Sequence, residues 1–312
     1  MTAHTQGRVP GMPLDRLFAV YLLAAVPALA FANRPSTWPL LLALHALAAV
    51  VTWPLPWVQR ALGGASPRAR SIVRSIADWA PLLLIPFLYK ELAILNTAVH
   101  GGTYFDALVI AWEQAVFGGQ PSRDWAAAAP HLWLSEPLHA AYLTYYLIII
   151  VPPLLLFLLG RTADFRAGVF ALMLAFFAHY LFFIYFPVQG PRYLFPPPGG
   201  ELANGFFQQL AHRVLEAGSA QGSAFPSSHV GVSVAQTLVV WRYLPRLTPV
   251  FALLTLGLAL GDIYGGFHYA IDVVAGLALG ALAFALAPRV RRAFTSDHEP
   301  APPGSAASEP AV

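Results

Sequence analysis

The chain has 312 residues, of which 57% are hydrophobic and 11% are charged, and its mean hydropathy is +0.60. Soluble domains carry about 25% charged residues, so the composition excludes an ordinary soluble protein and indicates a membrane protein with several spans. The absence of cysteine excludes disulfides and thiolate metal sites. Its 17 Arg and one Lys give a net charge of +3. In a membrane chain these cations report topology, and we expect no nucleic-acid partner.

Eight apolar segments come close to or exceed the roughly 20 residues that a spanning helix needs. They are residues 15–32, 38–58, 73–96, 136–160, 167–187, 228–244, 248–264 and 268–288. The sixth is short because its apolar run meets Arg242 early, although an arginine side chain can reach the interface from inside a span. The predicted fold class is therefore an all-α integral membrane bundle of about eight transmembrane helices.

The basic residues predict the orientation of these spans. If the N-terminus is cytoplasmic, 13 basic residues fall in inside segments and 5 in outside segments. The positive-inside rule then places both termini in the cytoplasm and the long loops 97–135 and 188–227 outside. Residues 28–32, ALAFA, resemble a signal-peptide cleavage site, but we interpret the first span as an uncleaved helix.

Composition divides the chain into a membrane domain and a tail. Residues 1–292 are predicted to form a single polytopic membrane domain, since we find no convincing internal repeat. Residues 293–312 are poor in bulky apolar side chains, and we predict that they form a disordered cytoplasmic tail.

The stretch GDIYGGFHYAIDVVAG, residues 261–276, places ionisable side chains beside a predicted span. Such groups usually serve a function. His268 and Asp272 are four residues apart, so they share one helix face. The aspartate can then fix the tautomer of the imidazole and stabilise its positive charge. A structural His–Asp pair and part of a metal site remain alternatives, although no second closely spaced pair is evident near the same face.

A second polar motif, FPSSHVG at residues 225–231, precedes an apolar helix. Ser227 and Ser228 suit the start of a helix, where free N–H groups favour a phosphate. His229 precedes His268 by 39 residues, roughly 58 Å of helix or two crossings, which returns both histidines to one face. Arg192, in the same outside loop, can hold phosphate oxygens. The simpler interpretations are a solvated histidine, a plain helix cap and an arginine that faces lipid headgroups.

These motifs resemble those of the type 2 phosphatidic acid phosphatase superfamily. Its Pro-Ser-Gly-His motif occurs as PSSH at residues 226–229, with Ser228 in the place of glycine, and the His-x3-Asp that closes its third motif occurs as His268 and Asp272. The resemblance covers residues 185–275. It implies a core six-helix bundle, a nucleophilic His268 that forms a phosphohistidine, an orienting Asp272 and a general acid His229. It also implies chemistry without a metal or another cofactor.

The first and third motifs depart from the superfamily's pattern. The lysine of its first motif is replaced by Tyr185, and the Ser-Arg of its third motif by Gly261-Asp262. Two of the three expected basic phosphate ligands are therefore absent. Lys90, at the outer end of the third span, is a candidate replacement. Asp262 is a candidate to bind a sugar-like hydroxyl or to pair with Arg192.

A tyrosine four residues before the nucleophile, followed by His-Tyr-x-x-Asp, resembles the inositol-phosphorylceramide-synthase-like branch of the superfamily. Here the pattern is Tyr264, His268, Tyr269 and Asp272. The branch adds Tyr264 to the candidate substrate-binding residues. It also implies a transferase that moves a phospho-headgroup, such as phosphoinositol, between lipids.

The predicted function is a metal-independent lipid phosphate phosphatase at the outer face of the plasma membrane, with a lipid phosphate as substrate and membrane lipids around it. Transfer to a hydroxylated acceptor is the alternative within the same chemistry. A lipid transporter or flippase would instead use His45, Asp78 and His179 to line a path. A pseudoenzyme that keeps the fold and binds lipid is the third hypothesis. Neither the lipid nor the oligomeric state is assigned by the sequence.

Overall fold

The computed structural model describes residues 13–30, 36, 38–52, 64, 66–196 and 199–295. Within these ranges the chain forms helices and no strand beyond one isolated bridge. The helices are α1 (Pro13–Ala25), α2 (Trp38–Thr52), α3 (Pro67–His100), α4 (Asp106–Phe117), α5 (Pro121–Ala128), α6 (Leu132–Leu143), α7 (Tyr145–Leu158), α8 (Thr162–Tyr185), α9 (Pro191–Leu194), α10 (Phe206–Gly218), α11 (Ser228–Tyr243), α12 (Thr248–Tyr264) and α13 (Ala270–Ala293). Short 3₁₀ turns are found at Val26–Ala30, Gly200–Asn204 and Pro245–Leu247.

Six of the helical segments in the described ranges are long and apolar enough to cross a membrane. They are Pro13–Ala30, Ser71–His100, Leu132–Leu158, Thr162–Tyr185, Pro245–Tyr264 and Ala270–Ala293. The other two predicted spans overlap the shorter helices α2 and α11, and residues 53–58 of the first of these two lie outside the described residues. The prediction of an all-α membrane bundle is confirmed. Most of the predicted tail, residues 296–312, lies outside the described residues.

Helix α3 is longer than the predicted segment 73–96 because its ends carry clear capping signals. Ser66 accepts a hydrogen bond from the Ala69 N–H at the start, and proline occupies the first helical position. The helix continues to His100 and stops at Gly101, whose φ of 62° is left-handed. This continuous helix carries Tyr89, Lys90 and Glu91 toward the end of the bundle where the site lies.

Helix α8 forms the centre of the bundle. It is apolar on all sides, which is the pattern of a helix surrounded by other helices. Phe170, Phe177 and Phe183 are almost fully buried, and the main hydrophobic core joins α8 to helices α1, α3, α11 and α13. Because α8 is apolar and central, the polar residues of the site come from the ends of the helices around it.

Glycines allow helices α11 and α13 to meet backbone against backbone. A Cβ atom at Gly280 would collide with the backbone of Gly231, and one at Gly276 would collide with the carbonyl of Ser227. Larger residues at these positions would therefore push the helices apart. The close approach places the first turn of α11, which carries His229, beside the first turn of α13, which follows His268.

Segments 101–131, 186–196 and 199–227 lie at the end of the bundle where α11 and α13 begin, which we call the loop end. The Ala224 N–H donates to the Val188 carbonyl at 2.8 Å, and the Val188 N–H donates to the Gly222 carbonyl at 3.2 Å. This short parallel bridge holds the chain before Arg192 alongside the chain before His229. It brings residues far apart in sequence to one place.

The polar residues considered for a transport path have partners inside the bundle. Arg166 donates two hydrogen bonds to Asp78, at 2.8 and 3.0 Å. The His45 Nε2 atom lies 3.3 Å from the Glu91 carboxylate, and the His179 Nδ1 atom lies 2.7 Å from the Ala175 carbonyl. Two of these three contacts connect neighbouring helices.

Candidate active site

A small cavity at the loop end brings together the two motif histidines and the loop arginine that the sequence analysis selected. His229, His268 and Arg192 all line this cavity, whose volume is about 30 Å³. The remaining walls come from α3, α6, α10 and the chain around the Val188 bridge, and include Tyr89, Tyr142, Leu215 and Ala224. We call it the central cavity.

His268 is held in one tautomer by the chain that precedes helix α11. Its Nδ1 atom lies 2.9 Å from the Ala224 carbonyl oxygen, which can only accept a hydrogen bond. The proton therefore resides on Nδ1, and Nε2 keeps its lone pair. Only 5% of His268 is exposed. The arrangement leaves one nucleophilic nitrogen in a largely dry site.

Asp272 lies in the first turn of α13 and is fully buried. Its Oδ2 atom accepts a hydrogen bond from the Tyr269 N–H at 2.9 Å and lies 3.5 Å from His268 Nδ1. The nearer acceptor for that nitrogen is thus the Ala224 carbonyl. Asp272 therefore places a carboxyl oxygen next to the imidazole, while the Ala224 carbonyl is the contact that sets the orientation of the ring. The Ser227 N–H also donates to the Asp272 carbonyl at 3.0 Å, which fixes α11 against α13.

His229 faces His268 across the central cavity, with their ring centroids 5.6 Å apart. Its Nε2 atom lies 3.3 Å from the Tyr142 hydroxyl, and its ring contacts the Tyr145 ring with centroids 4.4 Å apart. Nδ1 is buried and has no hydrogen-bond partner among the described residues. A second imidazole is therefore available opposite His268.

Arg192 reaches the cavity from the short helix α9. Gly190, with φ of 91°, turns the chain just before this helix in a conformation that other residues rarely adopt. The Asp106 carboxylate accepts hydrogen bonds from the N–H groups of Gln189 and Gly190, both at 2.9 Å. The buried Nη1 atom of Arg192 has no partner among the described residues. A free guanidinium N–H is suited to an anionic oxygen.

Ser227 and Asp262 bind each other instead of facing a cavity. The Ser227 hydroxyl donates to Asp262 Oδ2 at 2.8 Å and accepts the Val230 N–H at 3.3 Å as the cap of α11. Both side chains are fully buried. Within the described residues, no ion pair joins Asp262 to Arg192. The hydrogen bond between Ser227 and Asp262 fixes the end of α12 to the start of α11.

Tyr264 also lies away from the central cavity. Its hydroxyl donates to the Ala129 carbonyl at 2.8 Å, and the ring packs edge-on against Trp125. Only 1% of the residue is exposed. In this structure Tyr264 fastens the loop between α5 and α6 to helix α12.

An apolar groove of about 330 Å³ is lined by residues of α3, α7, α8 and α10, and Ser228 and His229 also line it. Its walls include Leu82, Ile85, Tyr145, Ile149 and Phe176. Lys90 lines the groove as well, and its Nζ atom donates to the Ala217 carbonyl at 2.9 Å. Lys90 and Ser228 thus belong to the groove, whereas His229 lines both the groove and the central cavity.

Three side chains of the site could together contact a cation. The nearest ligand atoms of His229, Asp262 and His268 all lie within 4.8 Å of one another. Two imidazoles and a carboxylate are a donor set that zinc accepts, but Zn–N bonds of about 2.0–2.1 Å need a tighter arrangement. The three side chains would have to move closer together to bind such an ion.

Helix α4 contributes two buried acids that sequence reasoning did not select. Besides the loop contacts described above, Asp106 accepts a hydrogen bond from the Tyr269 hydroxyl at 3.0 Å. Glu113 accepts one from the Ala270 N–H at 2.7 Å, and burial raises the pKa of this carboxyl to about 7. The two acids are seven residues apart in an apolar helix and therefore lie on one helix face. That spacing is the sequence signal that could have identified them. No comparable signal distinguishes Tyr142.

The sequence matches the model of the PAP2 superfamily over residues 107–286. This chain belongs to the PAP2 superfamily. The matched range begins in α4 and ends in α13, so it contains both histidines, Asp272 and Arg192. No curated protein and no solved structure matches the chain. Membership of the PAP2 superfamily supports a phosphatase-type enzyme that acts on phosphate esters, whereas the inositol-phosphorylceramide-synthase-like branch stays a prediction.

Proposed function

We propose that this PAP2 superfamily protein is a metal-independent lipid phosphate phosphatase that acts through a phosphohistidine on His268. The observation that carries the proposal is the 2.9 Å contact of His268 Nδ1 with the Ala224 carbonyl. Because that contact occupies the protonated nitrogen, Nε2 is left as a nucleophile in a cavity shared with Arg192 and His229.

The reaction has two steps in which the roles of the histidines alternate. The lone pair on His268 Nε2 forms a bond to phosphorus while the bond from phosphorus to the leaving oxygen breaks, and His229 gives that oxygen a proton. A water oxygen then attacks the phosphohistidine and passes its proton to His229, and the P–N bond breaks. The Arg192 guanidinium stabilises the phosphoryl oxygens, and Asp272 stabilises the positive imidazole.

The apolar groove supports a lipid as the substrate. It is lined in part by His229, the residue proposed to protonate the leaving oxygen, so a lipid alcohol can leave directly into it. Lys90 on the groove wall would attract the anionic substrate. The same groove could admit a second lipid alcohol in place of water, which supports headgroup transfer as the second candidate function.

The transporter hypothesis receives less support. Asp78 and His45 have charged or ionisable partners within the bundle, whereas a path would need them to face one continuous channel. Neither of these residues lines the central cavity or the groove. A chemical step at the loop end needs no such path.

The proposal is tested with the purified full-length protein, a ³²P-labelled lipid phosphate and EDTA. His268→Ala is expected to abolish both labelling of the protein and phosphate release. His229→Ala should slow turnover at least about 100-fold, the usual contribution of a general acid. His131→Ala, at an exposed loop position, is the matched control. Activity in His268→Ala, or a stoichiometric metal in the active protein whose removal by EDTA stops turnover, would contradict the proposal.

The proposed orientation places the loop end outside the plasma membrane, since most basic residues lie at the other end. The chain has no cysteine, so single introduced cysteines report sidedness without background. Arg213→Cys and Arg246→Cys replace exposed residues on opposite sides of the predicted topology. In intact cells an impermeant maleimide should label the first and not the second. The reverse pattern would place the site in the cytoplasm.

A further inference from the structure

A cavity of about 630 Å³ lies between helices α8, α11 and α13 at the end of the bundle opposite the loop end. Three arginines line it: Arg242 from the last turn of α11, and Arg291 and Arg292 from the last turn of α13. We call it the arginine pocket. Arg242 follows His229 by 13 residues of one helix, or about 20 Å. The pocket is therefore separate from the candidate active site.

The arginines of the pocket form no ion pair within the ranges that the structure describes. The ion pairs of other arginines in those ranges are Arg161–Asp164 and Arg166–Asp78. The guanidinium of Arg242 lies over the ring of Tyr243, 5.7 Å from its centroid. A contact of this kind leaves the positive charge in place. Three cations therefore converge on one cavity without a carboxylate to balance them.

Asp78 is the nearest candidate to neutralise Arg291. The two residues line a smaller cavity of about 130 Å³ together with Arg166. Both carboxylate oxygens of Asp78 already accept hydrogen bonds from Arg166, at 2.8 and 3.0 Å. The charge of Asp78 is thus matched by Arg166, and the charge of Arg291 remains in excess.

The other residues that line the arginine pocket are mostly apolar. Phe284 and Ala287 of α13 and Val239 of α11 belong to its walls, and each precedes the arginines of its own helix. Phe284 lies seven residues before Arg291, or roughly 10 Å deeper in the bundle. The pocket therefore has cations at its outer end and apolar surface toward the middle of the membrane. A phospholipid presents its headgroup and its acyl chains in that same order.

The charge of the pocket selects among phospholipids. Guanidinium groups bind phosphate oxygens through paired N–H donors, and basic pockets between membrane helices bind anionic headgroups. A zwitterionic headgroup would bring its ammonium group close to three cations, so a lipid with a net negative charge fits better.

We propose that the arginine pocket is a binding site for an anionic phospholipid, whose phosphate contacts the arginines while an acyl chain packs along Phe284 and Val239. The site lies at the opposite end of the bundle from His268, so its occupancy does not depend on the reaction proposed there. Because the lipid would contact α8, α11 and α13 together, it would stabilise the packing of these helices.

The test titrates the purified full-length protein in a non-ionic detergent and follows its melting temperature, which rises when a ligand binds the folded state. Phosphatidylglycerol is the anionic lipid. Phosphatidylcholine with the same acyl chains keeps the phosphate without the net charge, and inorganic phosphate keeps the charge without acyl chains. Phosphatidylglycerol should raise the melting temperature at a lower concentration than either of the other two compounds.

Two double variants separate the pocket from the general charge of this end of the bundle. Arg242→Gln with Arg292→Gln removes two exposed cations of the pocket. Arg246→Gln with Arg289→Gln removes two exposed cations that do not line it. Both variants lose the same charge, and any lipid bound at the loop end contributes equally to both.

The phosphatidylglycerol concentration that gives half of the stabilisation should rise roughly 25-fold in the pocket variant, about fivefold for each arginine. It should stay unchanged in the control variant. If the pocket variant cannot be purified, Arg292→Gln against Arg289→Gln makes the same comparison, with an expected shift of about fivefold. Equal shifts in pocket and control variants would overturn the proposal, because general surface charge would explain them. Equal stabilisation by phosphatidylcholine or by inorganic phosphate would overturn it as well.

Discussion

The Asp106 carboxylate accepts a hydrogen bond from the Tyr269 hydroxyl at 3.0 Å and another from the Gly190 N–H at 2.9 Å. Tyr269 follows His268 directly in the chain, and Gly190 lies two residues before Arg192. One buried carboxylate on helix α4 thus connects the chain beside His268, the proposed nucleophile, to the chain beside Arg192, the proposed phosphate ligand. Asp106 is a positioning residue, because it acts through the residues that it holds.

Asp106→Asn should lower both stability and activity. The amide nitrogen cannot accept the hydrogen bonds of both loop N–H groups, so at least one buried donor loses its partner at a cost of about 1–3 kcal/mol. Asp124→Asn, an exposed change in α5, is the matched control. Thermal unfolding in detergent and kcat/KM on a lipid phosphate are the measurements. An active protein of unchanged thermal stability would show that Asp106 does not position the site.

Tyr142→Phe should slow catalysis with little change in folding. The substitution removes the hydroxyl that lies 3.3 Å from His229 Nε2, and a hydrogen bond of this kind contributes about 1 kcal/mol. We expect kcat to fall about fivefold and the pH profile of kcat to shift, since the environment of the general acid changes. Tyr243→Phe, at the other end of α11 from His229, provides the comparison. An unshifted profile with full activity would argue against a role for Tyr142.

Gly280→Val should separate helices α11 and α13. A Cβ at this position meets the backbone of Gly231, which cannot move as a flexible side chain would. Overpacking of this kind costs about 1–3 kcal/mol, and it should also displace His229 from His268. Ala281→Val, the next residue and exposed on α13, is the control. The measurements are the melting temperature and the labelling of His268, and a stable, fully labelled Gly280→Val protein would contradict the role given to this contact.

Glu113 should make the protein less stable as pH rises from about 4.5 to about 7. Burial raises the pKa of its carboxyl in the folded protein to about 7 from the ordinary 4.5. Between these values the folded protein holds a proton that the unfolded chain has released, so each rise in pH favours unfolding. Glu113→Gln should flatten this dependence, whereas Glu201→Gln, at an exposed position, should not. Melting temperatures across this pH window decide the matter, and parallel curves for all three proteins would rule out the effect.

The sequence was sufficient for the parts of this protein that depend on local chemistry. Long apolar runs predict helices wherever they occur, because in lipid each backbone group must be hydrogen-bonded within its own segment. The His268–Asp272 spacing and the PSSH motif identified the superfamily, and the match to the PAP2 superfamily confirmed it. The roles of the individual site residues stay predictions, but the three basic ones do meet in one cavity.

Other features could not be predicted because they depend on which distant segments come into contact. Ser227 and Asp262 were both considered for substrate binding, and each finds the other 35 positions away. Asp106 forms its contacts with residues 83 to 163 positions along the chain. A hydrogen bond between helix ends leaves no periodic pattern in either helix, so no spacing rule could reveal it.

The sequence by itself thus determined the membrane bundle, the superfamily and the pair of motifs that carry the proposed reaction, because helix formation in lipid and short-range spacing are local properties. The tertiary structure alone decided which nitrogen of His268 is free and which acid holds the loop of Arg192. It also decided that the apolar groove and the central cavity share His229 as a wall. Those features depend on the backbone contact of α11 with α13 and on the loop end folding over it. Only the packed chain brings such groups within hydrogen-bonding distance.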